Sequence, residues 1–367
     1  MCASLTYTKN NWFAQNQFKD NDLYPLKKNL ITFIALSMPC SLFLSQTLYA
    51  NTLDSISFGK NSRWAIDAST RITHNADKNK NDFMHVIGLD FHNIFSNATQ
   101  DIGTLTFQPY IVKLNNVQKA PFIFDDGNDT QLTWRIANFN YTGLNQGKFN
   151  IRVGHFEIPF GLEYQIDTNG TLRQLTTGDR GIKADWGLSV NGILPNLEYE
   201  IALTRGSGNE IRSAGNPHIF SGRVGTPGNK NLVTGISWFT GDVLGGNGIT
   251  HRKKIGIDAS YYYYQWQFMF ESSVGQTAGN DTLNAFTEIR WKNPQENLSS
   301  YLQLGYQSTE INHEVNDKTH STSYWLVGIQ WLSYQGFDVS AQYKHKLKDT
   351  PTIDVDPLLS VQLRYRM

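Results

Sequence analysis

Stretch after stretch of this chain alternates an apolar residue with a polar or small one. In Lys254-Ile255-Gly256-Ile257-Asp258-Ala259-Ser260-Tyr261 the odd positions are apolar and the even ones are charged, small or hydroxylated. The same reading fits Trp266 to Glu271, Phe337 to Lys344 and Leu359 to Met367. Successive side chains of a strand point to opposite faces, so each segment has one apolar and one polar face. Applied along the chain, the rule predicts strands at approximately 63–73, 83–94, 103–114, 130–142, 147–156, 184–194, 196–206, 218–226, 231–240, 253–261, 264–275, 283–292, 298–308, 322–333, 336–346 and 357–367.

The gaps between these segments have their own rhythm. After the even strands they are tight and hold Pro, Gly and Asn, as in Leu194-Pro195-Asn196 and Asn293-Pro294-Gln295-Glu296-Asn297. Such residues turn a hairpin at little conformational cost. After the odd strands they are longer and polar, as in Asn75 to Asp82, Asn115 to Asp129, Ser207 to Pro217 and Gly241 to Arg252. A soluble sandwich also alternates along its strands, but has no reason to hold this phase of short and long connections. The aromatics point the same way. Trp64, Trp134, Trp186, Trp238, Trp266, Trp291, Trp325 and Trp331 fall near strand ends and mostly on the apolar face, where the girdles of a membrane barrel sit. The predicted fold is all-β, a transmembrane antiparallel barrel of about 16 strands, with short periplasmic turns and longer outer loops.

Charges on the opposite phase describe the inside. Arg152, Arg223, Asp258, Glu271, Glu288 and Arg290 are expected on the lumen wall, where water solvates them without partners. On that reading Asp258→Asn is mild. Tyr262, Phe286, Tyr301 and Leu326 share the lumen phase, so partial plugging is open.

The first fifty residues read differently. Lys27-Lys28 precede an apolar run, Leu30 to Leu44, and Leu48-Tyr49-Ala50 supplies a small residue before Asn51. This is a signal-peptide pattern over 27–50, with cleavage expected after Ala50, and the run is too short for a spanning helix. Residues 1–26 form a polar leader that export does not need, either dispensable or lying before a true start near Leu23 or Leu26, leaving 51–367 as the barrel. Both cysteines, Cys2 and Cys40, lie before the expected cleavage point, so the mature part has neither disulfide nor thiolate metal site. Its 28 basic and 30 acidic residues argue against nucleic acid as a partner. A mean hydropathy of −0.41 suits strands that show lipid only every second residue.

The longest gap, 157–183, is the candidate site. It carries Glu163, Asp167, Arg173, Asp179, Arg180 and Lys183. Long loops without strands of their own are usually functional, and charges at a constriction set ion preference. Folded into the lumen, this segment would be the filter; left outside, it would be an exposed loop.

The stretch Arg152-Val153-Gly154-His155-Phe156-Glu157-Ile158-Pro159-Phe160-Gly161-Leu162-Glu163 resembles a motif of the phosphate-selective porin O/P family of bacterial outer membranes. Shorter similarities follow in order, at Asp185 to Gly192, Ser221 to Pro227 and Ile255 to Tyr261. The resemblance implies a sixteen-stranded barrel, a homotrimer, and passage of small hydrophilic solutes or ions. Phosphate selectivity does not carry over. Arg173, Arg180 and Lys183 are opposed by Glu157, Glu163, Asp167 and Asp179, and no dense ladder of cations is visible.

Catalytic chemistry leaves little trace. Gly206-Ser207-Gly208 leads into a polar loop, and His313-Glu314 lacks a second histidine at metal-binding spacing. No cofactor and no metal are expected. The sequence therefore predicts a non-enzymatic porin in the bacterial outer membrane, in contact with its lipid, passing small hydrophilic solutes or ions, anions among them. A non-conducting barrel acting as receptor, adhesin or sleeve is the alternative, and an outer-membrane hydrolase a further one.

Overall fold

The computed structural model describes residues 61–96, 101–115, 130–145, 147–175, 179–209, 211, 215–245, 248–311, 318–333, 336–348 and 357–367. The leader and signal-peptide expectations, 1–26 and 27–50, lie outside the described residues. Sixteen antiparallel strands close into one barrel. They are β1 Ser62–Asn75, β2 Lys80–Ser96, β3 Asp101–Leu114, β4 Thr130–Tyr141, β5 Asn150–Glu157, β6 Ala184–Ile193, β7 Glu198–Thr204, β8 Ile219–Gly225, β9 Leu232–Gly245, β10 Gly248–Tyr263, β11 Trp266–Thr277, β12 Asn280–Lys292, β13 Leu298–Ile311, β14 Lys318–Leu332, β15 Phe337–Lys348 and β16 Leu358–Arg366. A short helix, α1 Gly161–Gln165, lies between β5 and β6. Each strand pairs with its neighbours in sequence, and β1 pairs with β16, with Asp67 opposite Arg366 and Asn75 opposite Leu358. Among the described residues no helix is long and apolar enough to cross a membrane.

The two faces separate as the alternation predicts. Ile257 is 53% exposed on the outside while its neighbour Asp258 is 3% exposed on the inside. Leu188, Ile236, Leu302 and Val361 share the outer face, and Arg223, Glu271, Gln303 and Gln362 the inner one. Water does not bathe every wall charge, however. Arg223 donates two hydrogen bonds to Asp258, at 2.6 and 3.0 Å, and both side chains are buried. The expectation of a mild Asp258→Asn is corrected accordingly, because the substitution leaves a buried guanidinium without its counter-charge.

The aromatic belts are partly as expected. Trp266 faces Trp291 across β11 and β12 at the rim of tight turns, and Trp64 and Trp331 sit near strand ends. Trp238 and Trp325 instead lie midway along β9 and β14. The Trp238 indole lies against Gly222 across the β8–β9 pair, occupying the space a side chain there would need. Of the lumen aromatics, Phe286, Tyr301 and the neighbouring Leu326 are buried, whereas Tyr262 is exposed and bonds Gln267 at 2.6 Å.

Not every outer connection is long. Residues 76–79 alone join β1 to β2, and 246–247 alone separate β9 from β10. In the second case the ladder simply continues, Asp242 opposite His251 and Leu244 opposite Ile249, so what reads as a polar loop is strand. Beyond the apolar band both faces can be wet, and alternation no longer marks the strand. In β4 the break in pattern has another cause. Pro109 pairs Trp134 while Gln108 pairs Ile136, so Arg135 is the extra residue of a bulge, and the inward phase shifts across it.

One stretch of wall is incomplete. β4 and β5 pair only from Ala137–His155 down to Tyr141–Ile151, because the chain turns inward after Glu157. The Trp134 amide donates instead to Asn209 Oδ1 (2.6 Å), and Asn209 Nδ2 donates to the Leu132 carbonyl (3.3 Å). Asp185 holds this patch by accepting from the Gly206 and Gly208 amides. A loop from β7 thus covers the edge that the inward loop leaves bare.

Candidate functional site

The chain enters the lumen over 158–175 and 179–183. Its neck is closed by the Ile158 amide donating to the Lys183 carbonyl (2.9 Å). From there it meets two walls. On the near wall, β8 to β13, the contact is largely apolar. Ile158, Phe160 and Ile182 pack with Ile219, Phe239 and Val243, and Leu162 and Leu175 pack with Met269 and Phe286. The start of α1 is pinned by wall side chains: the Gly161 amide donates to Ser237 Oγ (3.0 Å) and the Leu162 amide to Glu271 Oε2 (2.7 Å). Gly161 has φ +66°, and a Cβ there would run into the Glu271 carboxylate. The Pro159-Phe160-Gly161 motif is therefore a docking device: an apolar anchor followed by the residue that lets backbone approach a wall carboxylate.

Ion pairs complete this anchorage. Arg173 meets Glu288 at 2.6 Å, and Gln303 donates to the same carboxylate (2.6 Å) and to the Gln174 carbonyl (2.9 Å). Arg180 bonds Glu163 (2.8 Å) and the Phe160 carbonyl (2.9 Å), stacks over the Phe160 ring, and lies 3.8 Å from Glu271. Asp179 accepts from Ser273 and lies 3.8 Å from Lys254, while its carbonyl takes a bond from Arg252 (2.7 Å).

The far wall, β16, β1 and β4, holds the loop by polar contacts. Arg364 and Gln362 donate to the Asn169 and Gly170 carbonyls, at 3.2 and 2.6 Å. Arg71 donates to the Thr171 carbonyl (3.1 Å) and to Gln362 (2.6 and 3.0 Å). Arg135 meets Asp167 at 3.2 Å. Asp67 ties the wall itself together, paired with Arg364 and 3.7 Å from Arg135. The loop therefore bridges the lumen from side to side.

Of the six loop charges singled out in the sequence, Glu163, Arg173, Asp179 and Arg180 are buried in pairs. Asp167 is two-thirds exposed, and Lys183, about one-quarter exposed, sits between Glu163 (3.3 Å) and Glu157 (4.0 Å). Burial alone would lower the Lys183 amine; Glu163 and Glu157 outweigh it and hold it above the usual lysine range. Burial would raise Asp167, but Arg135 and the Asn169 amide hold it below the usual carboxylate range. Arg152 pairs with Glu200 (3.0 Å), which also accepts from Tyr164 (2.6 Å), and Arg290 donates to Ser299 (3.2 Å). Arg71, Arg135 and Gln362 had not been marked in the sequence, although Arg71 and Gln362 stand on the lumen phase. The cationic group Arg71, Arg135 and Arg364 comes from three strands, which is why no run of residues announces it. Among the described residues no cluster of side chains could hold a metal ion.

A closed sixteen-strand antiparallel barrel with a polar lumen and an inward loop is the fold of bacterial outer-membrane porins. The chain is similar to Salmonella typhi OmpF, at TM-score 0.62 and 12% identity over 84% of this chain and 98% of that one. It is also similar to OmpT, an outer membrane protein of Vibrio cholerae described in trimer form (TM-score 0.59, 9% identity, 83% and 99% covered). An anion-selective porin from Comamonas acidovorans gives TM-score 0.58 at 11% identity, with 83% and 99% covered. No protein-family model and no curated protein sequence matches the chain.

Proposed function

We propose that the protein is a porin for passive diffusion of small hydrophilic solutes or ions across the bacterial outer membrane, with the 158–183 loop as its filter. The observation that carries this reading is the loop itself, seated inside a polar lumen and bonded to opposite walls. A solute must pass the ring formed by Asp167 and Lys183 on the loop and Arg71, Arg135 and Arg364 on the far wall. Asp67 and Asp167 stand beside those arginines, and Glu157 and Glu163 flank Lys183, so both signs of charge line the passage. The motif at 152–163 supports kinship with the phosphate-selective porins, and the trimeric form described for the Vibrio cholerae protein supports a homotrimer. The leader at 27–50 fits export through a cleaved signal peptide.

Single-channel conductance of the refolded protein in a planar bilayer, under a salt gradient, tests the proposal. Stepwise openings are expected, and the sign of the reversal potential reports whether the basic or the acidic groups govern the passage. Replacing Arg173 and Arg180 together by Gln should move the reversal potential toward cations, because Glu271 and Glu288 then stand unopposed and Glu163 keeps Lys183 alone. An unmoved potential overturns the filter assignment.

A second reading has its own observation. Contacts to both walls, with Phe286, Tyr301 and Leu326 filling lumen space, also suit a barrel held closed until a partner or ligand displaces the loop. Silence from a folded barrel would select that reading.

A further inference from the structure

The outer face of β1 to β4 breaks its own pattern once. Over most of its height it shows residues such as Ile66, Ile87, Ile111 and Leu132, all exposed. One row across it is polar instead. Thr70 stands opposite His85, His85 opposite Lys113 and Lys113 opposite Thr130, and the first three side chains are exposed. The row is not the upper edge of the apolar surface, because Ile72 pairs with Phe83 one step nearer the outer loops. Thr70 lies six residues above Trp64, roughly 16 Å up a tilted strand, in the outer half of a band about 25 Å tall.

Charge in this row is one-sided. Lys113 has no hydrogen bond or ion pair among the described residues. The acids of the four strands lie elsewhere: Asp67, Asp82 and Asp90 share the inner phase, and Asp101 is at the turn end of β3. His85 is oriented by Thr70, whose Oγ1 lies 3.2 Å from Nδ1. With that hydroxyl donating, the neutral ring carries its proton on Nε2 and turns a donor outward. Acyl chains alone leave an ammonium, an imidazole and two hydroxyls unsatisfied, and an aqueous anion does not reach below Ile72 and Phe83. The row calls for a molecule with both parts.

This wall also has the height to face lipid. β1, β2 and β3 run 14, 17 and 14 residues, whereas β7 and β8 have 7 residues each, short of the about 9–11 that a tilted strand needs to cross the hydrocarbon. A second copy of the chain has more reason to cover the short wall, and the tall one is left to the bilayer. We propose that Thr70, His85, Lys113 and Thr130 form a docking site for the phosphate of an anionic lipid in the outer leaflet. Its acyl chains would lie along Ile87, Ile111 and Leu132. Lys113 would carry the main charge-assisted contact, its stem running up the apolar surface to the headgroup, with His85 Nε2 and the Thr130 hydroxyl beside it. Such a site is independent of whether the lumen conducts.

Native mass spectrometry of the detergent-folded full chain tests it, with phosphatidic acid and phosphatidylcholine of identical acyl chains supplied together. Phosphatidic acid should be retained about fivefold over phosphatidylcholine, the scale of one lysine at a membrane surface. Lys113→Gln should bring the two lipids to parity. Lys253→Gln, at an exposed lysine on the outer face of β10 beside the Asp242–His251 pair, should leave the preference in place. Equal retention by the unaltered chain, a preference unmoved by Lys113→Gln, or one equally reduced by Lys253→Gln overturns the proposal. Millimolar inorganic phosphate should not displace the lipid; displacement would make the row a site for a soluble anion and overturn the lipid assignment. Light scattering supplies the last arm. An oligomer that falls apart on Lys113→Glu makes the row a contact between copies and overturns the proposal, whereas an unchanged oligomeric state with lost lipid preference is the expected result.

Discussion

The inward loop holds its two walls by different physics. On the near wall, Phe160, Leu162 and Leu175 are wholly buried, and each such side chain contributes roughly 1.5–3 kcal/mol. On the far wall, the loop offers backbone carbonyls to Arg364, Gln362 and Arg71, bonds worth about 0.5–3 kcal/mol each, charged donors at the upper end. The near wall fixes where the loop sits, and the far wall decides how wide the passage is. Asn169 to Thr171 are held by polar contacts alone, whereas Phe160 and Leu162 are held by burial.

Glu288→Ala should break the near-wall anchorage most severely. It strands Arg173 in a buried position, at a cost of about 3–5 kcal/mol, visible as a lower urea midpoint together with a larger and noisier conductance. Ile257→Arg on the lipid face supplies the contrast. It should cost about 2–4 kcal/mol of barrel stability, and surviving channels should show unaltered conductance, because the loop is untouched. If both variants changed conductance alike, stability rather than anchorage would govern the passage. Gln362→Ala cuts the far wall, removing the bond to Gly170 and a support of Arg71. A loss of about 1–2 kcal/mol is expected with a clear gain in conductance, so the ratio of the two effects should exceed that of Glu288→Ala.

The smallest effect is that of pH. The Asp167 carboxyl is held below its ordinary value of 3.8, so its pairing with Arg135 is intact above that pH and is lost only as pH falls through the lower folded value. Lys183 is held above 10.5, so its pairing with Glu163 is intact below that pH and is lost only as pH rises through the higher folded value. Conductance should therefore be flat from about pH 5 to about pH 9, with a modest rise below about pH 4, limited by the exposure of Asp167 to solvent. A step near pH 7 would point to a group other than these two.

Much of this was legible from the alternation of side chains. All sixteen strands fall where the pattern put them, because the two faces meet solvents as different as lipid and water. Their outer ends were not legible. Asp242 to Leu244 and Ile249 to His251 read as loop because beyond the lipid nothing penalises a polar outer face. In the site, the sequence exposed both halves of the near-wall pairs, Arg173 and Arg180 on the loop and Glu271 and Glu288 on the wall, without joining them. Pairing across some hundred residues depends on where the loop lies in the lumen, which no local pattern encodes. Arg135 was hidden for a different reason: the bulge opposite Pro109 shifts the phase of β4, so a residue counted from the regular end of the strand falls on the wrong face.

The far wall is also the seam. β1 and β16, which carry Arg71, Gln362 and Arg364, are the two strands whose pairing closes the barrel, and Asp67 meets Arg364 across 297 positions of chain. Contacts across the seam join residues about three hundred positions apart, up to Ile66 with Met367, and bringing such distant segments together is slow. The Asn169 and Gly170 carbonyls have no β16 partner until the seam closes. The last far-wall bonds to the loop and the sealing of the cylinder thus fall together, and a barrel with an open seam holds its loop by the near wall, Arg71 and Arg135.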